Sequence, residues 1–436
     1  MNYNETIYHI YPLGFCGAPK ENDGNVVPRI HKVLSWLEHF KKLNISAIYF
    51  GPVFESERHG YDTKNYEMID VRLGSNQDFK EVCDQLHQKN IKVYLDGVFN
   101  HVGRSFFAFQ DVLEKKWDSP YSNWFYINYD HHDNPDGFSY ADWEGHQELV
   151  KLNLENKDVR NYLFHVIDGW IEEFHIDGLR LDVAYCLNQT FLYELHHHLK
   201  DRYPDFFLLG EMIGGDYNTL LKDDLLDSVT NYECRKGLFS SFNTHNLFEI
   251  AHSLNRQFGN ENWCLYRGKH LLSFIDNHDV DRIASILNDE RDLPLLYGLL
   301  YTMPGIPAIY YGSEWGAKGT RTQHSDDDLR PCFDKPEWNS LTDLIATLNT
   351  LRNEYPTFTN GDYHQIYLQN EQYVFSRKDE NGQITCALNI SDEDKECHFN
   401  PEVSKGYDLL KKEWYDFTSS TTLPSKSFHI WYTAWK

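Results

Sequence analysis

A chain of 436 residues exceeds what one small core needs and suits a barrel of about 250 residues carrying attached modules. Its 41% hydrophobic and 25% charged residues are those of a packed, water-soluble protein, which excludes disordered and fibrous classes. With 66 Asp plus Glu against 41 Lys plus Arg, the net charge of -25 would repel phosphate backbones and anionic membranes, so nucleic acid and membrane are not expected partners.

Short apolar, β-rich runs recur along the chain, most of them followed by a helical pattern, as repeated βα units require. They are Ile7 to Tyr11, Ala47 to Val53, Ile91 to Phe99, Gly178 to Val183, Phe206 to Met212, Ser228 to Tyr232, Leu271 to Asp276 and Ala308 to Tyr311. Eight such strands predict an α/β fold, a (β/α)8 TIM barrel. Ile30, Val33, Leu34, Leu37 and Phe40 share one helical face, as do Val159, Tyr162, Val166, Trp170 and Phe174, so both segments belong to the outer ring.

Roughly 50 residues separate the third strand from its helix, more than a connection needs, which predicts an inserted domain over residues 102–150. Its Trp117, Tyr121, Trp124, Phe125, Tyr126, Tyr140 and Trp143 suit equally a wall beside a sugar-binding cleft and a small core of its own. Leu341, Leu344, Ile345, Leu348 and Leu351 predict a last helix ended by Pro356. Alternating runs at Gln365 to Leu368, Tyr373 to Ser376, Ile384 to Ile390 and Phe428 to Thr433 then predict a C-terminal antiparallel β-sandwich over 357–436, leaving 1–101 and 151–356 to the barrel.

Met1 to Tyr11 lacks an export signal, and no run approaches the ~18 apolar residues of a membrane span. Cys16, Cys83, Cys186, Cys234, Cys264, Cys332, Cys386 and Cys397 are scattered without Cys-x-x-Cys spacing, so the expectation is a cytoplasmic protein with reduced thiols. The His196-His197-His198 run and the His131-His132 pair are expected to face solvent, since successive helical histidines diverge.

Barrel active sites form at the carboxyl ends of the strands, where four runs end in charge: Asp96 to His101, Arg180-Leu181-Asp182, Gly210-Glu211, and Asp276 to Asp279. Single carboxylates there suit structural ion pairs; the set suits glycoside hydrolysis, which needs one ionised and one protonated carboxyl across the anomeric carbon. Alternation points Arg180 and Asp182 to the same face, so the guanidinium would keep Asp182 ionised as nucleophile. Glu211 has no basic neighbour in its own run, and an apolar setting would raise it toward a general acid.

At these residues the sequence resembles the α-amylase superfamily, glycoside hydrolase family 13, from Ile7 to about Tyr355, and within it cyclomaltodextrinases, neopullulanases and maltogenic amylases. Asp96 to Val102, Gly178 to Ala184, Gly210-Glu211 and Phe274 to Asp279 match four ordered family regions; Val150 to Asn153 and His59 to Tyr66 resemble two more. The resemblance implies catalysis by Asp182, Glu211 and Asp279, the last straining the ring, with Tyr61 stacking under the scissile sugar and His101, Arg180 and His278 touching its hydroxyls. It also implies that Arg330, in the run Asp326 to Arg330, pairs with Asp62 and grips the non-reducing end.

Departures from the pattern bear on specificity. The chain begins at the first barrel strand, without the N-terminal β domain its resemblance group uses to dimerise, so a monomer or weak homo-oligomer is expected. Val183-Ala184-Tyr185-Cys186 and Met212-Ile213-Gly214 differ from the usual residues after the nucleophile and acid. Asn100 matches one ligand of the family's calcium site, but Cys186 replaces a histidine that helps build it, so the metal is left open and a structural calcium is not favoured. The expected activity is retaining cleavage of α-1,4, and some α-1,6, links in maltodextrins or cyclodextrins, with no organic cofactor. A 4-α-glucanotransferase and a silent glucan- or protein-binding homologue are the alternatives.

Overall fold

Period-2 alternation sends one set of side chains inside a closed sheet and the other under its helices. The computed structural model describes residues 3–130, 135–323 and 325–435. It places strands at β1 (Ile7–Ile10), β2 (Ala47–Phe50), β3 (Lys92–Gly97), β4 (Gly178–Leu181), β5 (Phe207–Gly210), β6 (Ser228–Val229), β7 (Leu272–Ser273) and β8 (Ile306–Tyr310). These form one parallel sheet in the order β6-β5-β4-β3-β2-β1-β8-β7, and a parallel bridge between Thr230 and Leu272 joins its edges. The eight-stranded barrel is therefore present, with a strand inside seven of the eight runs and the last, Ile306–Tyr310, starting two residues before its run.

Ile7, Tyr49, Tyr94, Phe207, Leu209 and Phe274 pack inside the barrel, while Tyr8, Ile48, Val93, Leu179 and Leu208 pack outward under the helices. The strand β6 is shorter than its run because Asn231 caps a helix, accepting the N–H of Cys234 at 3.1 Å, so Tyr232 starts that helix instead of ending a strand. The segment with Ile30 and Val33 is a 3-10 helix, Arg29–Trp36, continuing as an α-helix, Leu37–Leu43. Helix Lys157–Phe174 buries Val159, Val166, Trp170 and Phe174 as its periodicity requires, with Asn156 accepting the N–H of Asp158 at its start.

Between β3 and that helix, His101–Gly103 pairs antiparallel with His146–Lys151, which pairs with Asp142–Trp143. The aromatic residues of this insert divide. Trp124, Phe125 and Phe138 are buried, Trp117 and Tyr126 are exposed, and Trp143 reaches the barrel mouth.

After the last helix, six strands form one antiparallel sheet in the order β9 (Asp362–Leu368), β10 (Gln372–Lys378), β11 (Gly382–Asn389), β16 (Ser427–Ala434), β13 (Lys405–Asp408), β14 (Glu413–Asp416). A small pair, β12 (Lys395–Cys397) with β15 (Thr421–Leu423), covers one face through Val374, Ala387, Trp431 and Leu423. The other face, through Phe375, Leu388 and Ile430, joins the core under the barrel helices. Among the described residues no helix is long and apolar enough to cross a membrane.

Candidate active site

Parallel register decides which residues meet at the barrel mouth. Arg180 lies opposite Asp96, and Leu181 opposite both Gly97 and Gly210. The next residues continue the ladder, Asp182 donating its N–H to Gly97 O at 3.1 Å and Glu211 to Leu181 O at 2.9 Å. Asp182 and Glu211 are thus neighbours at the ends of β4 and β5, both 5% exposed.

Arg180 binds three carboxylates. Its Nη1 donates to Asp96 Oδ1 at 3.0 Å and Asp182 Oδ1 at 2.8 Å, and its Nη2 lies 2.6 Å from Glu211 Oε1. Glu211 has no basic neighbour in its own run, but the adjacent strand supplies one. Burial pushes the carboxyls of Asp182 and Glu211 above their ordinary range, against the pull of Arg180, and nearby carboxylates add to the rise. Both groups therefore retain a proton more readily than carboxylates in water.

Val183 contributes through its backbone. It adopts a left-handed conformation, φ 40°, costly for a β-branched residue, and its N–H donates to Glu211 Oε2 at 3.0 Å. The residue after the acid at position 182 thereby holds the second oxygen of Glu211.

The end of β7 supplies the opposite wall. Asn277 Oδ1 accepts the N–H of Asp279 at 2.9 Å, and the Asp279 carboxylate meets His278 Nε2 at 3.0 Å and Arg330 Nη2 at 3.3 Å. Tyr61 lies nearly parallel to the His278 ring, 9° between planes, and its hydroxyl contacts His278 Nε2 and donates to Asp96 Oδ2 at 3.2 Å. His101 Nε2 is 4.0 Å from Asp182 Oδ2, and burial pushes this imidazole down to about 3, so it is neutral. Asp182, Glu211, Asp279, Tyr61, His101 and Arg330 line one cleft of about 560 Å³, with Arg180 and His278 beneath it.

Asp62 stands apart. Arg330 pairs with Asp279 and with Asp326, each at 3.3 Å, and stacks over Tyr11, 4.5 Å to the ring, in place of the expected pair with Asp62. Asp62 is 3% exposed and its Oδ1 accepts the N–H groups of His59 and Gly60, both at 3.2 Å, so it shapes the turn that carries Tyr61.

The cleft is also lined by Trp143, one of the insert aromatics named from the sequence, and by His59, His146, Glu148, Ile213 and Tyr232, none singled out there as site residues. Trp143 and His146 stack at 5.3 Å on the insert hairpin, and Trp143 lies 5.9 Å from the His101 ring. Only the many aromatics of the insert signalled such a wall. A second basin of about 850 Å³ adjoins the cleft across His59, Arg321, Asp326 and Arg330.

The histidine run diverges: His196 meets Leu225 O at 3.0 Å, His198 meets Asp168 at 2.9 Å, and His197 faces Asp201 at 3.9 Å. The pair at 131 and 132 lies outside the described residues. Asn100 offers one buried oxygen without a protein partner, yet among the described residues no three His, Cys, Asp or Glu side chains are grouped to hold a metal ion.

Residues 9–343 match the family model described as Alpha amylase, catalytic domain. The chain is 31% identical over 440 residues to a cyclomaltodextrinase from Thermoanaerobacter pseudethanolicus, covering 93% of this chain and 73% of that protein. Among solved structures it is similar to a debranching enzyme from Nostoc punctiforme, with 28% identity, TM-score 0.81, and 99% and 98% of the two chains covered. It is likewise similar to the cyclic α-maltosyl-(1→6)-maltose hydrolase from Arthrobacter globiformis, with 25% identity, TM-score 0.84, and 99% and 98% covered. Because that model spans most of the barrel on which these carboxylates converge, the chain belongs to the α-amylase family, glycoside hydrolase family 13, and is a glycoside hydrolase.

Proposed function

We propose that the protein hydrolyses α-1,4, and some α-1,6, links in maltodextrins or cyclodextrins with retention of configuration. The observation that carries this reading is the single guanidinium of Arg180 held between Asp182 and Glu211, with Asp279 across the cleft. Retention needs two carboxyls about 5 to 5.5 Å apart, a span compatible with two acids on one guanidinium. The cyclomaltodextrinase, the debranching enzyme and the (1→6)-maltose hydrolase among its relatives support the substrate class.

In this mechanism the Asp182 carboxylate attacks the anomeric carbon while Glu211 gives its proton to the departing glycosidic oxygen. A covalent glycosyl ester on Asp182 results. Glu211, now ionised, takes a proton from water, whose oxygen attacks the same carbon and releases Asp182. Asp279, held by Arg330 and His278, grips sugar hydroxyls as the ring flattens, where charge-assisted hydrogen bonds tighten. Tyr61 lies under the ring, and Arg180, His101 and His278 face its hydroxyls.

Purified protein incubated with maltoheptaose, β-cyclodextrin and pullulan is expected to release shorter sugars, first as the α-anomer by proton NMR. Asp182→Asn and Glu211→Gln are each expected to lower kcat by about 10³-fold or more, with melting temperature unchanged or raised. A β-anomeric first product, or near-normal turnover in either folded variant, overturns the mechanism.

A further inference from the structure

Beneath the catalytic carboxylates, inside the barrel, lies a cavity of about 30 Å³ whose wall includes His9, Asp276, His278, Arg180 and Glu211. Three residues of this wall each carry a buried polar atom with no protein hydrogen-bond partner among the described residues: His9 Nε2, Asp276 Oδ1 and His278 Nδ1. Their residues are 5%, 2% and 1% exposed. Buried polar atoms left unpaired are costly, and burial normally pairs such groups. A water needs about 10–15 Å³ of such space and two to four polar partners. This cavity offers both.

We propose that the cavity binds one ordered water, and that through it His9 and Asp276 act as positioning residues for His278. Hydrogen-bond chemistry fixes the roles. The Nε2 of His278 meets the Tyr61 hydroxyl, whose own proton goes to Asp96 Oδ2 at 3.2 Å, and lies 3.0 Å from Asp279 Oδ2; with acceptors on both sides this nitrogen carries the proton and Nδ1 is bare. The water donates one hydrogen to that Nδ1 and the other to Asp276 Oδ1, and accepts from the Nε2–H of His9. Each partner is itself held. His9 stacks on Tyr49 at 4.4 Å, and the other Asp276 oxygen accepts from Ile283 N–H at 2.8 Å and Ser313 Oγ at 2.9 Å. The water thus selects the His278 tautomer that presents N–H to Asp279 and the sugar. The catalytic consequence rests on the function proposed above; the water and the tautomer do not.

A high-resolution crystal structure of the whole protein is expected to show a density peak within hydrogen-bond distance of all three atoms. His9→Phe keeps the ring but removes the donor. It is expected to shift the His278 nitrogen resonances in 15N-histidine NMR and to lower kcat/KM for maltoheptaose about tenfold, the scale of one buried hydrogen bond. His9→Gln, which retains an N–H, is expected to restore most of it. If His9→Phe does not fold, Asp276→Asn, which can turn an acceptor into a donor, is expected to shift the same resonances. A cavity without a density peak overturns the proposal, as do His278 resonances unmoved in the folded variant. A wild-type protein with the water in place but no hydrolysis would instead overturn only the proposed function.

Discussion

Arg180 sets the charge balance of the cleft, because one buried cation faces Asp96, Asp182 and Glu211 together. Arg180→Met leaves those acids uncompensated and is expected to cost about 3–5 kcal/mol at neutral pH. Without the guanidinium their folded values rise further above the unfolded ones, so the folded state binds more protons and stability falls as pH rises. The deficit in melting temperature is therefore expected to be larger near pH 8 than near pH 5, and an equal deficit at both would count against the shared-cation reading. His101 gives the opposite sign. Its folded value, lowered by burial to about 3, lies below the ordinary 6.5, so the unfolded chain takes up a proton that the folded one refuses. Stability is lost as pH falls from about 6.5 toward 3. His101→Asn is expected to gain on the parent over that window in melts taken at successive pH values.

At the scale of elements, short sequence signals act where backbone groups would otherwise be unpaired. Asn339 starts helix Ser340–Glu354 with a capping box, its side chain taking the N–H groups of Leu341 and Thr342 while Thr342 returns a bond. Asn339→Ala is expected to cost about 1 kcal/mol by denaturant titration. The insert hairpin faces the cleft instead: Trp143→Ala, which removes the indole beside His101, is expected to raise KM for maltoheptaose severalfold with a smaller change in kcat. An unchanged KM would make Trp143 a packing residue. Barrel strands were readable because each alternates between a core-facing and a helix-facing side. The strands β12 to β15 were not, since runs such as Lys395–Cys397 and Glu413–Asp416 are short and largely polar. Their pairing comes from neighbours far along the chain.

Across the whole molecule, barrel and C-terminal sheet share one core. Arg377 and Arg352 are buried at the junction, donating to Thr302 O at 3.1 Å and Tyr301 O at 2.9 Å. Phe428 fills the space over Gly298, where a Cβ would lie 2.6 Å from the ring. Gly298→Val is expected to destabilise by about 1–3 kcal/mol through overpacking, with tryptophan fluorescence and far-ultraviolet dichroism shifting together. Two separated transitions would mean that sheet and barrel unfold independently.

Strand ends, helix faces and four ordered motifs could be read residue by residue, because alternation, helical period and the placement of charge at strand ends are local. They sufficed to locate Asp182, Glu211 and Asp279 at one barrel mouth. Partnership was not local. That Arg180 divides itself among three acids, that Asp62 serves a turn and leaves Arg330 to Asp279, and that Trp143 alone of the named insert aromatics reaches the cleft depend on strand register and burial. Those are settled only when the sheet closes, since electrostatic pairing depends on distance in space and not along the chain.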